Sequence, residues 1–203
     1  MNILIVNSSA QGEASVSRRL AAHFAKEVAG AQPDATIVSR DVGRDPLPHL
    51  GEDTVAGIRA EAKSDAERET LAISDALLDE VRAADLIVIA SPMYNIGISS
   101  TLKTWFDYVL RPRVAFRYGA GGPEGLLGPR KVIVIESRGG VYAEPNDFQT
   151  NHLRAMLTFA GLGDITFVRA EGFAGGPEAG QGAIANAEAE LTRLAATKLP
   201  TTT

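Results

Sequence analysis

The stretch DLIVIASPMYNIGISSTLKTWFDYVL, Asp85 to Leu110, decides how the chain folds. It opens on a strand-like segment (85–91) whose unbroken apolar run, Leu86 to Ala90, is of the kind buried on both faces of a parallel sheet. It closes on Leu102, Trp105, Phe106, Val109 and Leu110, one stripe at helical spacing, stopped by Pro112. Between strand and helix stand a proline, a methionine, a tyrosine, an asparagine and a glycine, more than a bare connection needs.

The same alternation continues in both directions. NILIV (2–6) is a buried strand, followed by a helix on which Val16, Leu20, Phe24 and Val28 share a face; Ser15 or Ser17 can cap its start and Gly30 can end it. ATIVSRDV (35–42) is a second strand. Residues 43–66, with DPLPHL, form a polar surface excursion. A helix over 70–84 carries Ile73, Leu77, Val81 and Ala84. Beyond Pro112, residues 114–130 are glycine-rich and irregular. KVIVIESRGG (131–140) is strand four. The helix over 147–161 turns Phe148, Leu153, Met156, Leu157 and Ala160 to the core. DITFVRAEG (164–172) is strand five, and a last helix covers 183–196. Five buried strands alternating with helices predict an α/β fold: a flavodoxin-like, doubly wound, five-stranded parallel sheet of order 2-1-3-4-5 with helices on both faces, one domain over 1–203.

Composition narrows the function. A net charge of −5 argues against nucleic acid as a partner, which calls for a basic face. The absence of cysteine removes disulfides, thiolate metal sites and a cysteine nucleophile. The first apolar run is too short for a signal peptide, and no segment approaches the 18 apolar residues of a membrane span, so the expectation is a cytoplasmic protein with no membrane partner.

In an open parallel sheet, ligands bind at the carboxyl edge beside the switch point between strands one and three. Three loops meet that edge: 7–17, 91–100 and 137–145. The first offers Ser8, Ser9, Ser15 and Ser17 before a helix N-terminus, donors suited to a terminal phosphate of roughly −1.5 to −2 charge. It lacks G-x-G-x-x-G, which favours a mononucleotide over a dinucleotide. The second presents Met93, Tyr94 and Asn95, flat and polarizable cover for a ring, with Gly97 freeing the backbone. In the third, Gly139 and Gly140 permit a sharp turn and close approach of amides, while Ser137 and Arg138 add donors. A phosphate at one end and a flat heterocycle at the other describe FMN.

These blocks resemble the FMN-dependent NADH:quinone oxidoreductases, also called azoreductases. SPMYN with LKTWFDYV is similar to that family's flavin loop and helix, FRYGAGGPEGLLGPRKVIVIESRGG to its substrate loop and second flavin loop, and FVRAEG to its last strand; the likeness runs to about Pro177. It implies that Ser9, Ser15, Val16 and Ser17 hold the FMN phosphate. Met93, Tyr94, Asn95 and Ile96, with Ser137, Arg138, Gly139 and Gly140, would then bracket the isoalloxazine. Ile96 departs from the family's usual phenylalanine, which alters pocket shape. The resemblance also implies Tyr118 as a pocket residue and a homodimer with active sites near the subunit interface; the aromatic helix of Trp105, Phe106 and Tyr108 is compatible with such an interface.

The implied activity is ping-pong: NADH, or NADPH as the alternative donor, gives hydride to flavin N5, and a quinone, azo or nitro compound then takes two electrons at the same face. No protein side chain is required as catalytic acid or base, and no metal. His23, His49 and His152 show no ligand spacing; His23 reads as structural and His152 approaches the crevice. Phe116, Tyr118 and Phe159 can wall an apolar substrate pocket, with core packing the competing role for Phe116 and Phe159. The rival readings are a flavodoxin-type electron carrier and a hydrolase on the same fold.

Overall fold

The computed structural model describes residues 1–197. Its main sheet comprises β1 (Asn2–Asn7), β2 (Thr36–Asp41), β3 (Leu86–Pro92), β6 (Lys131–Arg138) and β7 (Asp164–Glu171), in the order β2-β1-β3-β6-β7. Every pairing is parallel. Counted among themselves, the five strands have the expected order 2-1-3-4-5. The central β3 is buried along its whole length, whereas β2 lies at an edge and is largely accessible. That contrast explains why 86–90 reads as a continuous apolar run and 36–41 does not.

Helices cover both faces. Leu20, Phe24 and Val28 of α1 (Val16–Ala31) pack with Ala187, Leu191 and Leu194 of α6 (Pro177–Ala196) on one side. On the other side, Leu77, Leu78 and Val81 of α3 (Asp65–Ala83), Leu102, Trp105 and Phe106 of α4 (Ser100–Val109), and Leu153 and Leu157 of α5 (Phe148–Phe159) form the second core layer.

Several local expectations are corrected. Helix α1 continues past Gly30 to Ala31. Helix α3 begins at Asp65, earlier than Thr70, because Ser64 and Glu67 form a reciprocal capping box. Helix α6 begins at Pro177, whose missing N–H costs nothing at a helix start. Segment 43–66 contains a short helix α2 (Ala56–Arg59) and sends Leu47 and Leu50 onto the core, so it is only partly a surface excursion. Phe148 is 57% exposed and does not join the core. Trp105, Phe106 and Tyr108 are all buried inside the chain, so they form core and not an exposed interface.

The glycine-rich segment is not irregular. It forms an antiparallel hairpin of β4 (Phe116–Gly119) and β5 (Gly122–Gly125). The base of this hairpin rests on the end of α5: a Cβ on Gly125 would overlap the backbone of Ala160 and Gly161, and the Leu127 amide donates to Ala160 O at 3.0 Å. Glycine is required there by contact, since nothing larger allows the two backbones to meet.

Candidate functional site

At the carboxyl edge the first loop is built from the end of β1 and the start of α1. Ser15 caps α1, its Oγ accepting from the Arg18 amide at 3.2 Å and lying 3.2 Å from Ser17 Oγ. The amides of the first helical turn have no partner further up the helix and point outward with the positive end of the dipole. Both serines are buried. Ser8 instead donates to Ala90 O at 2.8 Å, tying the loop to β3.

The second loop is fastened to the first. Ser9 Oγ and Tyr94 Oη share a hydrogen bond of 3.1 Å, and the Ala10 amide donates to the same Tyr94 oxygen at 3.1 Å. Tyr94 therefore bridges the first and second loops. The turn after it is closed by Tyr94 N to Gly97 O (2.9 Å) and Gly97 N to Tyr94 O (3.1 Å). Its central residues Asn95 (φ 49°) and Ile96 (φ 72°) both have positive φ, the pattern of a primed hairpin turn. The strained positions are thus Asn95 and Ile96, not Gly97. A β-branched residue in this region is uncommon, and such strain is concentrated at binding and catalytic loops.

The third loop differs from expectation in two ways. Neither Gly139 nor Gly140 has positive φ; at Gly140 a Cβ would crowd the Tyr142 ring at 3.0 Å. Arg138, moreover, does not offer its side chain freely to a ligand. Its guanidinium is buried, bonded bidentately to Asp147 (2.7 and 3.0 Å) and to Glu171 (2.8 Å), with the Tyr142 ring stacked at 5.4 Å. Asp147 also caps α5 through the Thr150 amide. Burial works to raise the Asp147 carboxyl, but Arg138, the Thr150 amide and the Thr150 hydroxyl outweigh it and hold the group at about 2. Beneath lies Glu136, fully buried, accepting from Thr150 and Arg169. Burial pushes Glu136 above the ordinary carboxylate range although these neighbours act the other way.

The three loops enclose one cleft of about 240 Å³, lined by Gln11, Val16, Pro92, Met93, Tyr94, Ser137, Arg138, Gly139 and Phe173. Gln11 and Phe173 were not singled out in the sequence. Phe173 follows β7, a fourth strand end at the same edge, and the edge rule alone could have flagged it. Ser9, Ser15 and Ser17 lie in the loop that supplies Gln11 and Val16, while Ile96 stands 52% exposed beside the cleft. No carboxylate lines the cleft, and its single charged lining residue is an arginine. Serine hydroxyls and unpartnered helix amides at one end, and Met93 and Tyr94 at the other, form a donor set that fits FMN.

The three aromatics expected in a substrate pocket form their own cluster. Phe116 lies 4.2 Å from Phe159 and 5.8 Å from Tyr118, between ring centroids. Phe116 is buried, Phe159 half-buried and Tyr118 77% exposed. Phe159 opens onto a separate surface hollow with Pro123 and Arg154, and none of the three lines the cleft. The histidines serve elsewhere: His23 meets Thr192 Oγ1 at 2.9 Å, His49 meets Thr104 Oγ1 at 3.1 Å, and His152 is exposed on α5. A hollow of about 370 Å³ between β2 and α3, near Asn2 and Val38, lies at the opposite, amino edge of the sheet. Among the described residues no group of three His, Asp or Glu side chains is placed to hold a metal ion, and no helix is long and apolar enough to cross a membrane.

A family model described as a flavodoxin-like fold matches residues 1–195. The chain is 42% identical over 200 residues to an FMN-dependent NADH:quinone oxidoreductase of Hyphomonas neptunium, covering 97% of this chain and 96% of that one. It is 47% identical over 196 residues to a protein of the same description from Burkholderia thailandensis, covering 95% and 98%. Among solved structures, the azoreductase AzrA superposes with a TM-score of 0.87 at 28% identity, covering 97% and 99%. An FMN-dependent NADH-azoreductase from Bacillus anthracis, in complex with FMN, gives 0.83 at 26% identity, covering 96% and 100%.

Proposed function

Because the chain belongs to the flavodoxin-like family of FMN-dependent NADH:quinone oxidoreductases, we propose that its cleft works by receiving donor and acceptor alternately at one open face. The observation that carries this reading is the convergence of loops from β1, β3 and β6 on a single cleft at the switch point of the sheet.

FMN supplies two-electron chemistry when bound, taking hydride from a reduced nicotinamide and giving two electrons to a quinone, nitro or azo acceptor, with two such rounds for full cleavage of an azo bond. The chain's residues do the rest. Ser9, Ser15 and Ser17, with the Val16 and Ser17 amides, bind the phosphate. Met93 and Tyr94 cover the ring system, and the backbone of 95–96 and 137–140 borders it. Arg138, held by Asp147 and Glu171, anchors the third loop from behind. NADH is the donor in this reading, and NADPH is the alternative to compare with it.

The cleft on one chain is small: about 240 Å³, against the 300–1,000 Å³ of typical small-molecule sites. Around it stand exposed apolar groups, Ile96 at 52%, Phe148 at 57% and Val141 at 72%. Both facts favour a homodimer in which the partner's hairpin and its Tyr118–Phe159 cluster complete the acceptor pocket, leaving room for one substrate at a time. Initial-velocity lines against NADH and a quinone are then parallel; intersecting lines would exclude alternation. A yellow protein whose released pigment is FMN, and whose visible absorbance bleaches promptly on mixing with NADH, separates this reading from a carrier. The proposal also places the protein in the cytoplasm, and fractionation that finds it elsewhere would overturn that part.

A further inference from the structure

The excursion that begins at Gly43 enters none of the chemistry above, yet its first residues touch the phosphate loop repeatedly. The amides of Val42 and Gly43 both donate to Asn7 O, at 2.9 and 3.3 Å. Asp41 pairs bidentately with Arg18, in the first turn of α1, and accepts from the Arg44 amide at 3.0 Å. Arg44 pairs with Glu13 at 2.6 Å. At the centre is Gly43. A Cβ there would lie well inside contact distance of the Ser9 carbonyl oxygen, 2.7 Å from its carbonyl carbon and 2.9 Å from its nitrogen. Gly43 does not have the left-handed backbone that calls for glycine. Its lack of a side chain is therefore explained by the close approach of two backbones. Ser9, in turn, is the residue whose hydroxyl joins the serine loop to Tyr94.

We infer that the turn 41–44 is a positioning brace for the phosphate site, and that Gly43 sets the height of the Ser9 backbone within it. The residues act through the loop and touch no ligand. The inference rests on the reading of residues 9–17 as the phosphate site. Since backbone atoms cannot yield as a flexible side chain does, a methyl at 43 must push the loop aside and spoil the convergence of its donors. The damage falls on the phosphate end of the cofactor.

The test is the ratio of FMN to riboflavin affinity, measured by flavin fluorescence quenching on stripped protein. Gly43→Ala is expected to weaken FMN about tenfold while changing riboflavin less than about threefold, since the phosphate contacts are displaced directly and the ring cover only through the Ser9–Tyr94 hydrogen bond. Asp41→Asn loosens the same turn without any clash and is expected to lower the ratio in the same direction, which keeps the test decisive where Gly43→Ala does not fold. Gly51→Ala, in the same excursion, where a Cβ would meet only the Thr54 hydroxyl at an ordinary 4.0 Å, is expected to leave both affinities unchanged. Equal weakening of the two flavins, or no weakening by either variant, overturns the inference. Ser17→Ala separates the two levels: if it leaves the ratio unchanged, the phosphate reading itself falls; if it lowers the ratio while neither brace variant does, only the brace falls.

Discussion

Replacing Asp147 by asparagine isolates one charge in the buried network behind the third loop. Asparagine caps helices about as well as aspartate, so the start of α5 keeps its hydrogen bond from the Thr150 amide. What is lost is the anion facing Arg138. The Asp147 side chain is only 6% exposed, so solvent screens the pair little. Its carboxyl titrates at about 2 against an ordinary 3.8. At about 1.36 kcal/mol per unit, that difference is worth roughly 2–3 kcal/mol at pH 7. The sign follows from the depressed value: the contribution is complete above the unfolded pKa and fades as pH falls through the folded one. The linkage relation leaves about half of it at pH 3 and little at pH 2. Urea midpoints of both proteins, at pH 7, 4 and 3 with FMN at one fixed excess, read this directly, because ligand stabilisation enters both. The gap between the two proteins should halve from pH 7 to pH 3. An equal gap at both pH values would mean that shape or hydrogen bonding, and not charge, accounts for the loss.

Other outcomes are as definite. Tyr94→Phe removes the hydroxyl shared by Ser9 and Ala10 and should weaken FMN roughly three- to tenfold in a fluorescence titration, as for one or two lost hydrogen bonds. Ile96→Asn places a residue tolerant of positive φ in the strained turn. With the side chain half exposed, the apo-protein should melt about 2–4 °C higher per ~1 kcal/mol of strain relieved, and a lower melting temperature would refute the strain. Light scattering should give about twice the 21.4 kDa chain mass, and Phe148→Glu should shift it toward one chain.

The fold was legible because its central strand and the helices flanking it carry their burial in their sequence. Residues 86–90 are apolar throughout, and Leu102, Trp105, Phe106 and Val109 share one face. Legibility failed where geometry depends on a neighbour distant in the chain. The hairpin at 116–125 has a glycine count that reads as irregular, since the reason for Gly125 sits at Gly161. Arg138 read as a donor to ligand, since nothing in the sequence connects it to Asp147, across a loop, or to Glu171, on the neighbouring strand. The segment 43–66 looked like surface because its anchoring apolar residues, Leu47 and Leu50, are too few to make a period. At the site, the serine and aromatic loops were readable from the edge rule, which also reaches Phe173 at the end of β7, whereas Gln11 had no motif of its own to mark it within the first loop.

The contact of Gly125 with Gly161 bears on how this scaffold can diversify. At that seam no larger residue fits without separating hairpin from helix, so the base of the hairpin is closed to variation. At the tip, a methyl on Gly121 would meet open space. On the proposed dimer, new acceptor preferences should therefore arise by change at residues 120–121, since Gly122 is held at φ +113° and a Cβ on Gly119 would overlap Glu124. A selection for altered dye specificity should recover its variants there while leaving the seam untouched.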